Sequence, residues 1–267
     1  MLAAQRKATI LREVSSQGAI RVAELADTLG VSEVTIRRDI DQLVEQGLVD
    51  KVHGGVTSIG FSTTTEPTFD KTSQLHTQAK AAIARAAKDF IQPGQAIALM
   101  GGSTVYALAQ AIGDIPHLTV VTNSVPVSDL FAKDPKTGWT IVLVGGERTP
   151  TDSLVGAVSA QVLKEFNFDM AFMGTHGMDV EGGFSSPNML EAETNREVMK
   201  NTTEVIILAD HTKWGVRGFS SFGELSAADA IVTDSETPPH ALDILRQHID
   251  TVIVAPDSPD SPIGDRQ

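Results

Sequence analysis

Apolar residues recur at helical spacing from the start of the chain. Ile10, Leu11 and Val14 share one face of residues 5–16, and Val22, Leu25, Ala26 and Leu29 share one face of residues 22–29. Gly18 and Gly30 punctuate the two stretches. Ser32 stands where an N-cap belongs, and a third helix to about residue 46 puts Ile36, Ile40 and Leu43 together before Gly47 stops it. Leu48–Val52 then alternates like a strand and meets Gly54-Gly55. Past residue 73 the period changes. Short apolar runs at 96–100, 118–122, 140–144, 169–173, 205–209, 230–233 and 251–255 read as buried strands, and stretches near 79–90, 104–112, 125–132, 157–165, 189–201 and 238–247 read as helices between them.

The opening order, helix, helix, turn, helix, hairpin, is that of a winged helix-turn-helix. The later alternation predicts an α/β fold with a mostly parallel sheet covered on both faces. Between them, TSIGFSTTTEPTFDKTS is rich in Ser and Thr and reads as a linker. The expected organisation is a winged helix-turn-helix over 1–57, a linker over 58–73, a larger α/β sensor domain over 74–256, and a flexible tail over 257–267.

Composition narrows the function classes. At 41% hydrophobic residues the 267-residue chain can bury a large core. No apolar run approaches the ~18 residues a membrane span requires, so no membrane partner is expected. The chain has no cysteine, which excludes disulfides and thiol chemistry and fits a cytoplasmic location. The formal charge of -13 argues against nucleic acid until it is divided. Through Ser58 there are 7 basic and 8 acidic residues, and the remaining 14 and 26 carry nearly all of the excess. A locally basic surface therefore stays open to phosphates.

The third helix offers such a surface. On a wheel, Val34 and Arg38 fall opposite Ile36, Ile40 and Leu43, flanked by Thr35, Arg37 and Asp41. Arg38 could fork onto a guanine edge or a phosphate, and Val34 could meet a thymine methyl. Ser32, Thr35 and Arg37 suit phosphates, with Lys51 and His53 in the hairpin as a wing. The spacing Ala26–Gly30–Ile36 supplies the small residues expected where two helices cross closely at a turn. The bland alternative is a small helical lobe with a solvated Arg-Arg pair.

Residues 5–56, with VSEVTIRRDIDQLVEQGLVDKVHGGV at their core, resemble the DNA-binding domain of DeoR-family bacterial transcriptional regulators. The resemblance implies a winged helix-turn-helix reading double-stranded operator DNA, usually as a repressor.

Glycine-rich or polar turns follow five of the predicted strands: Gly101-Gly102-Ser103-Thr104, Asn123-Ser124, Gly145-Gly146-Glu147-Arg148, Gly174-Thr175-His176-Gly177 and Asp210-His211-Thr212-Lys213. In an open α/β sheet the carboxyl ends of the strands form the ligand crevice, and helix N-termini there attract anions. Each turn alone is ordinary turn chemistry; five at equivalent positions predict a ligand site. GGST, VVTNS, VGGER, GGFSSPN, EAE and LADHTKWG also resemble the DeoR-family sensor domain, over residues 75–235. That resemblance implies a ribose-5-phosphate-isomerase-like fold that senses a phosphorylated sugar or related metabolite. The expected ligand residues are Gly101, Gly102, Ser103, Thr104, Asn123, Ser124, Gly146, Glu147, Arg148, His176, Gly177, Glu191 and Lys213.

Three positions depart from the family pattern. Met100 replaces an aspartate, His176 stands in the GxDG turn, and Asn195, followed by Arg196, replaces a lysine. The usual carboxylate for sugar hydroxyls and the usual cation for phosphate are thus missing from their places; Arg148, Arg196 or Lys213 could supply the cation. The alternative reading is a sugar-phosphate isomerase-like enzyme fused to a DNA-binding module, with Glu191, Glu193 and Lys213 as candidate groups. The losses at 100 and 195 weigh against it, so no catalytic residue is expected. No cofactor is expected, and the seven histidines show no paired ligand spacing on a predicted helix, so no metal. A homodimer or homotetramer is expected because helix-turn-helix proteins commonly read two half-sites.

Overall fold

Ile10, Val14, Leu25, Ile36, Ile40 and Leu43 close on one another, with Val49 and Val56, to make the first core. They are carried by α1 (Ala3–Gln17), α2 (Val22–Leu29) and α3 (Glu33–Glu45). Beside these helices lies an antiparallel sheet of β1 (Ala19–Arg21), β2 (Val49–Val52) and β3 (Gly55–Ser58), in the order β1-β3-β2. The computed structural model describes residues 3–17, 19–46, 48–52, 55–58, 66–134 and 138–256. The chain divides into two units, Met1–Thr65 and Glu66–Gln267. Gly18, Gly47, His53, Gly54 and the tail 257–267, each given a role by the sequence, lie outside the described residues.

Ser32 caps α3, its Oγ accepting the amide of Thr35 at 3.3 Å. Gly30 closes α2 in the left-handed region at φ 63°, and the next amide, Val31 N, donates to Ala26 O at 3.1 Å. The expected close helix crossing is not the reason for this glycine. A Cβ there would meet nothing within 4 Å, whereas the left-handed backbone costs another residue about 1–2 kcal/mol. Strand β1 falls outside the predicted pattern, being only three residues long and ordered by its pairing with β3.

Of the linker expected over 58–73, residues 59–65 lie outside the described residues, and its two ends carry regular structure. Strand β3 includes Ser58, and α4 (Phe69–Gln74) occupies the end of the segment. Tertiary contacts that no local pattern encodes hold it. Phe69 N donates to Pro150 O at 3.2 Å, and the Phe69 ring meets Tyr106 edge-on at 5.3 Å.

The larger unit continues with α5 (Thr77–Lys88), β4 (Ala96–Leu99), α6 (Ser103–Ala111), β5 (Thr119–Thr122), α7 (Val125–Lys133) and β6 (Thr140–Leu143). Next come β7 (Glu147–Arg148), β8 (Leu154–Val155), α8 (Ala157–Leu163), β9 (Phe168–Gly174), β10 (Gly177–Asp179) and β11 (Gly183–Ser186). The remainder is α9 (Met189–Lys200), β12 (Thr202–Leu208), β13 (Ser220–Gly223), β14 (Ala230–Asp234), α10 (Pro239–His248) and β15 (Thr251–Ala255). Among the described residues, seven strands form one sheet in the order β15-β14-β12-β9-β4-β5-β6, and every pairing in it is parallel.

Alternation assigns the sheet two cores. Ile97 and Leu99 join Val120, Phe172 and Leu208 beneath α5, α6 and α7. Ala98 and Met100 join Val121, Ala171 and Met173 on the other face, with Leu163, Val198 and Leu245 from α8, α9 and α10. Each fully buried Leu, Ile or Phe contributes roughly 1.5–3 kcal/mol. The chain lays down β4, β5 and β6 in one direction and then returns to place β9 on the other side of β4. The topological switch, where α/β sheets open a ligand crevice, therefore falls between β4 and β9. A second sheet, β10-β11-β13, is antiparallel and also lies outside the predicted pattern: its strands are short, and β11 and β13 are Gly- and Ser-rich with one aromatic each, Phe184 and Phe222, stacked at 6.0 Å.

Candidate functional site

Two surfaces carry the predicted site residues, one in each unit. On α3, Ile36, Ile40 and Leu43 are buried while Val34 is 76% exposed and Arg38 is exposed, so the wheel's two faces are real faces. The other basic candidates are in exposed ion pairs, Arg37 with Glu33 at 2.9 Å and Lys51 with Asp41 at 2.7 Å. Sequence reasoning passed over Asp39. It is only 4% exposed and accepts from the Arg6 Nε and, at 3.2 Å, from Arg6 Nη2, tying α3 to α1 behind the exposed face. Its signal was available: Asp39 follows two outward arginines and precedes inward Ile40.

In the larger unit, the turns after β4, β5 and β9 converge at the switch. Gly101 N donates to Asn123 Oδ1 at 2.8 Å, and Asn123 Nδ2 donates to Leu154 O at 3.1 Å. A Cβ on Gly101 would overlap Ser153 Oγ and lie 2.9 Å from Ser153 Cβ, so Ser153 packs directly on this turn. Ser103 and Thr104 open α6, and Ser124 caps α7. Met100, at the position of the family's aspartate, is buried in the second core and contributes no polar group.

Other candidates fall away from this centre. Glu147 and Arg148 are exposed on β7, and Arg148 is committed to Asp152 at 2.8 Å. Gly146 packs under α8, where a Cβ would meet Val155 O at 2.6 Å. Gly177 is a packing glycine: a Cβ there would overlap the backbone of Val216. His176 N donates to Ser185 O at 3.1 Å, joining the turn to β11. Arg196, two turns along α9 from its start, donates Nη1 to Ser221 O at 2.5 Å and lines a separate cavity of about 530 Å³ with Glu181, Glu224 and His248.

The rim of the crevice is a polar network of which the sequence had singled out Glu191 alone as a ligand residue. Thr149 and Thr151 share a hydrogen bond of 2.8 Å, and Thr151 Oγ1 lies 3.3 Å from Ser153 Oγ. Thr151 Oγ1 also donates to Glu66 Oε1 at 2.8 Å, and Asn188 Nδ2 donates to Glu66 Oε2 at 3.1 Å. Asn188 caps α9 by accepting from Leu190 N and Glu191 N, while Ser186 Oγ donates to Glu191. Burial pushes the Glu191 carboxyl up to about 7; the nearby Glu66 adds to the rise and the Ser186 hydroxyl opposes it. The available signals were the polar run Thr149–Ser153 and Ser-Pro-Asn ahead of α9.

A second charged cluster follows β12. Asp210 is 1% exposed, and its Oδ2 accepts no hydrogen bond among the described residues. Burial alone would raise its carboxyl; Lys213, the Thr212 hydroxyl, His76 and Lys80 outweigh that and hold it below the ordinary value. Lys80, 5% exposed, donates to Thr72 O at 2.5 Å and Leu75 O at 2.7 Å, and burial lowers it to about 8. His76 and His211 meet edge-on at 5.3 Å. Burial is the strongest single influence on His211 and would lower it, but its 2.7 Å contact with Asp234, with the charges of Asp210 and Glu236, outweighs burial and raises it; His76 is lowered, by burial first.

Among the described residues His211, Asp234 and Glu236 are also the one trio of metal-ligating groups, assembled from two turns and so invisible to helix spacing. Asp234 already accepts both His211 N, at 2.6 Å, and the His211 ring. The trio therefore reads as an anchored histidine.

Comparison with known proteins covers both units. The description "DeoR-like helix-turn-helix domain" fits residues 6–60 and "DeoR C terminal sensor domain" fits residues 75–235. The chain is 34% identical over 239 residues to the HTH-type transcriptional regulator GlpR of Haloferax volcanii, covering 88% of this chain and 91% of that one. It is 30% identical over 245 residues to the glycerol-3-phosphate regulon repressor of Escherichia coli K12, covering 91% and 96%. It is 33% identical over 227 residues to the lactose phosphotransferase system repressor of Staphylococcus epidermidis, covering 85% and 90%. A ribose 5-phosphate isomerase from Methanocaldococcus jannaschii aligns over 51% of this chain and 53% of its own, at 18% identity and a TM-score of 0.37, a likeness too slight to bear on activity. With its helix-turn-helix and sensor domains both matched, the chain belongs to the DeoR family of transcriptional regulators.

Proposed function

We propose that the protein is a repressor of sugar or polyol metabolism genes whose grip on operator DNA responds to a phosphorylated sugar or polyol. The observation that carries the DNA half is the face of α3, where Val34, Thr35 and Arg38 point away from a back sealed by Ile36, Ile40 and Leu43. In this reading α3 enters the major groove, Arg38 forks onto a base and Val34 meets a thymine methyl. Ser32, Thr35, Arg37 and Lys51 engage phosphates; Arg37 and Lys51 exchange their exposed carboxylate partners for the backbone, at little cost because such pairs contribute about 0–1 kcal/mol.

The sensor half takes its ligand where the turns after β4, β5 and β9 converge. The phosphate is received between the start of α6 and the hydroxyl and amide donors of the rim, and Glu191 receives a hydroxyl. Glycerol 3-phosphate is a fitting first probe, because the similar Escherichia coli protein is named for that regulon. Ligand binding favours one arrangement of the DNA-binding units, and DNA by linkage changes ligand affinity equally. The operator is read by a homodimer or homotetramer.

Fluorescence anisotropy on the chain's own promoter DNA tests the first half. Arg38→Ala should weaken specific binding by about 1–3 kcal/mol while circular dichroism stays unchanged; undiminished binding sinks the placement of α3. A thermal-shift screen of free and phosphorylated sugars and polyols tests the second half, since a selective binder raises the melting point by mass action. The protein acts without turnover: ribose 5-phosphate should remain unisomerised, and turnover lost on changing Glu191 or Lys213 would favour the enzyme reading.

A further inference from the structure

Glu66 is the first residue of the larger unit, directly after Thr65, the last of the smaller one. Its carboxylate is nevertheless embedded in the crevice rim, held by Thr151 at 2.8 Å and Asn188 at 3.1 Å. Thr151 lies one hydroxyl from Ser153, which packs on Gly101 at the start of the first crevice turn. Glu66 is therefore a short chain of contacts away from the place proposed for the phosphate. The residues that follow it are clipped down at two more points. Phe69 N donates to Pro150 O, and the buried Lys80 ammonium holds Thr72 O and Leu75 O at the end of α4. Residues 66–75 thus form a strap whose leading end is an anion.

That anion is poorly placed for permanence. Glu191 lies across Asn188 from it, since the Asn188 amide donates to Glu66 and its oxygen accepts from Glu191 N, so the rim holds two carboxyl-bearing residues on one side chain. Thr151 and Asn188 donate to Glu66, but neutral hydroxyl and amide donors serve a phosphate or carboxylate oxygen of a ligand equally well. An incoming anion is drawn by the same donors and repelled by the same carboxylate.

We propose that Glu66 is a built-in competitor of the effector: an anionic group entering the crevice takes Thr151 and Asn188 from Glu66 and releases the strap 66–75. Because the strap leads directly into residues 59–65 and the smaller unit, its release is how crevice occupancy reaches the DNA-binding unit. This inference rests on the crevice being the effector site.

The experiment uses the full chain, wild type and Glu66→Gln, with glycerol 3-phosphate as the anionic probe and glycerol as the uncharged one. Calorimetry should show Glu66→Gln binding glycerol 3-phosphate at least about tenfold more tightly, the scale of one unit charge removed within ~12 Å near a protein surface. Glycerol should bind both proteins alike. Amide exchange at Phe69 and Thr72 should quicken several-fold when wild type binds glycerol 3-phosphate, and Glu66→Gln should show the faster exchange without it. Equal or weaker binding by the variant, or slower exchange on binding, overturns the competition while leaving the crevice as effector site. If neither protein binds glycerol 3-phosphate or any other phosphorylated compound in the screen, the effector site itself fails and the competition with it.

Discussion

Glu191→Gln offers a signed test of the crevice electrostatics. The Glu191 carboxyl is raised from its ordinary 4.5 to about 7, chiefly by burial. Between those two values the folded chain keeps a proton that the unfolded chain has released. Stability therefore falls as pH rises through the window, the reverse of a carboxylate held by a cation. At 1.36 kcal/mol per tenfold, the whole span corresponds to about 3 kcal/mol, an upper bound because Glu191 keeps some solvent contact. Roughly 2 kcal/mol of it falls between pH 5.5 and pH 8. The substituted glutamine would still accept from Ser186 but would not titrate.

The assay is urea unfolding followed by tryptophan fluorescence, because both tryptophans, Trp139 and Trp214, belong to the larger unit. Wild type should lose about 2 kcal/mol more than Glu191→Gln between pH 5.5 and pH 8. His76 is lowered and His211 raised, with opposite effects on the pH slope, but both are present in both proteins and cancel in the difference. Parallel pH curves for the two proteins would refute the reasoning. Glu66→Gln should shrink the wild-type slope as well, since Glu66 contributes to the rise.

Arg38→Ala should weaken operator binding by about 1–3 kcal/mol and relax preference at one base pair, whereas Arg37→Ala should lower the salt dependence of binding by about one counterion; anisotropy titrations at several salt concentrations read both. Gly101→Ala should destabilise the larger unit by roughly 1–3 kcal/mol through its overlap with Ser153, and adding Ser153→Gly should recover most of the loss. Gly177→Ala should cost a similar amount, roughly 1–3 kcal/mol, with no side-chain rescue, because its Cβ meets the Val216 backbone; urea titrations check both glycines. Asp39→Ala should lower the melting temperature of the smaller unit, followed by circular dichroism, by stranding Arg6; changing both to apolar residues should recover the stability and keep the α3 face.

Periodicity made the central sheet legible. Each of the seven apolar runs became one of its strands, and Thr251–Ala255 matches residue for residue. A parallel strand buried on both faces has to be a continuous apolar run, so composition and position coincide there. The same pattern missed β10, β11 and β13, where Gly183-Phe184-Ser185-Ser186 and Ser220–Gly223 show one large apolar residue apiece. It also missed α4, whose Thr, Lys and Ser content is that of a linker and whose order comes from Pro150, Tyr106 and Lys80. Boundaries of the smaller unit followed from local chemistry, with Ser32 capping α3 and Gly30 turning left-handed after α2.

The candidate sites divide along the same physical line. On α3 the proposed interface is the complement of a core, so locating Ile36, Ile40 and Leu43 placed Arg38 and Val34 on the exposed face as well. The crevice has no such complement. Its glycines were found because turns require them, yet Gly146 and Gly177 turned out to serve packing, and Glu147 and Arg148 face solvent. Glu66, Thr151, Asn188 and Asp210, which make the polar character of the site, come from four separate segments and share no period. Hydrogen bonds between such residues depend on how distant turns meet, and that is decided by the sheet order. Met100 makes the consequence specific: the position that would announce a carboxylate is apolar, while the carboxylates at the rim are Glu66 and Glu191, one from the strap and one from α9. A ligand chosen by this crevice would thus be selected in part by Glu66 and Thr151, which lie in none of the quoted motifs, beside Asn188 and Glu191, which do; relatives sharing every glycine turn could still differ in what they sense.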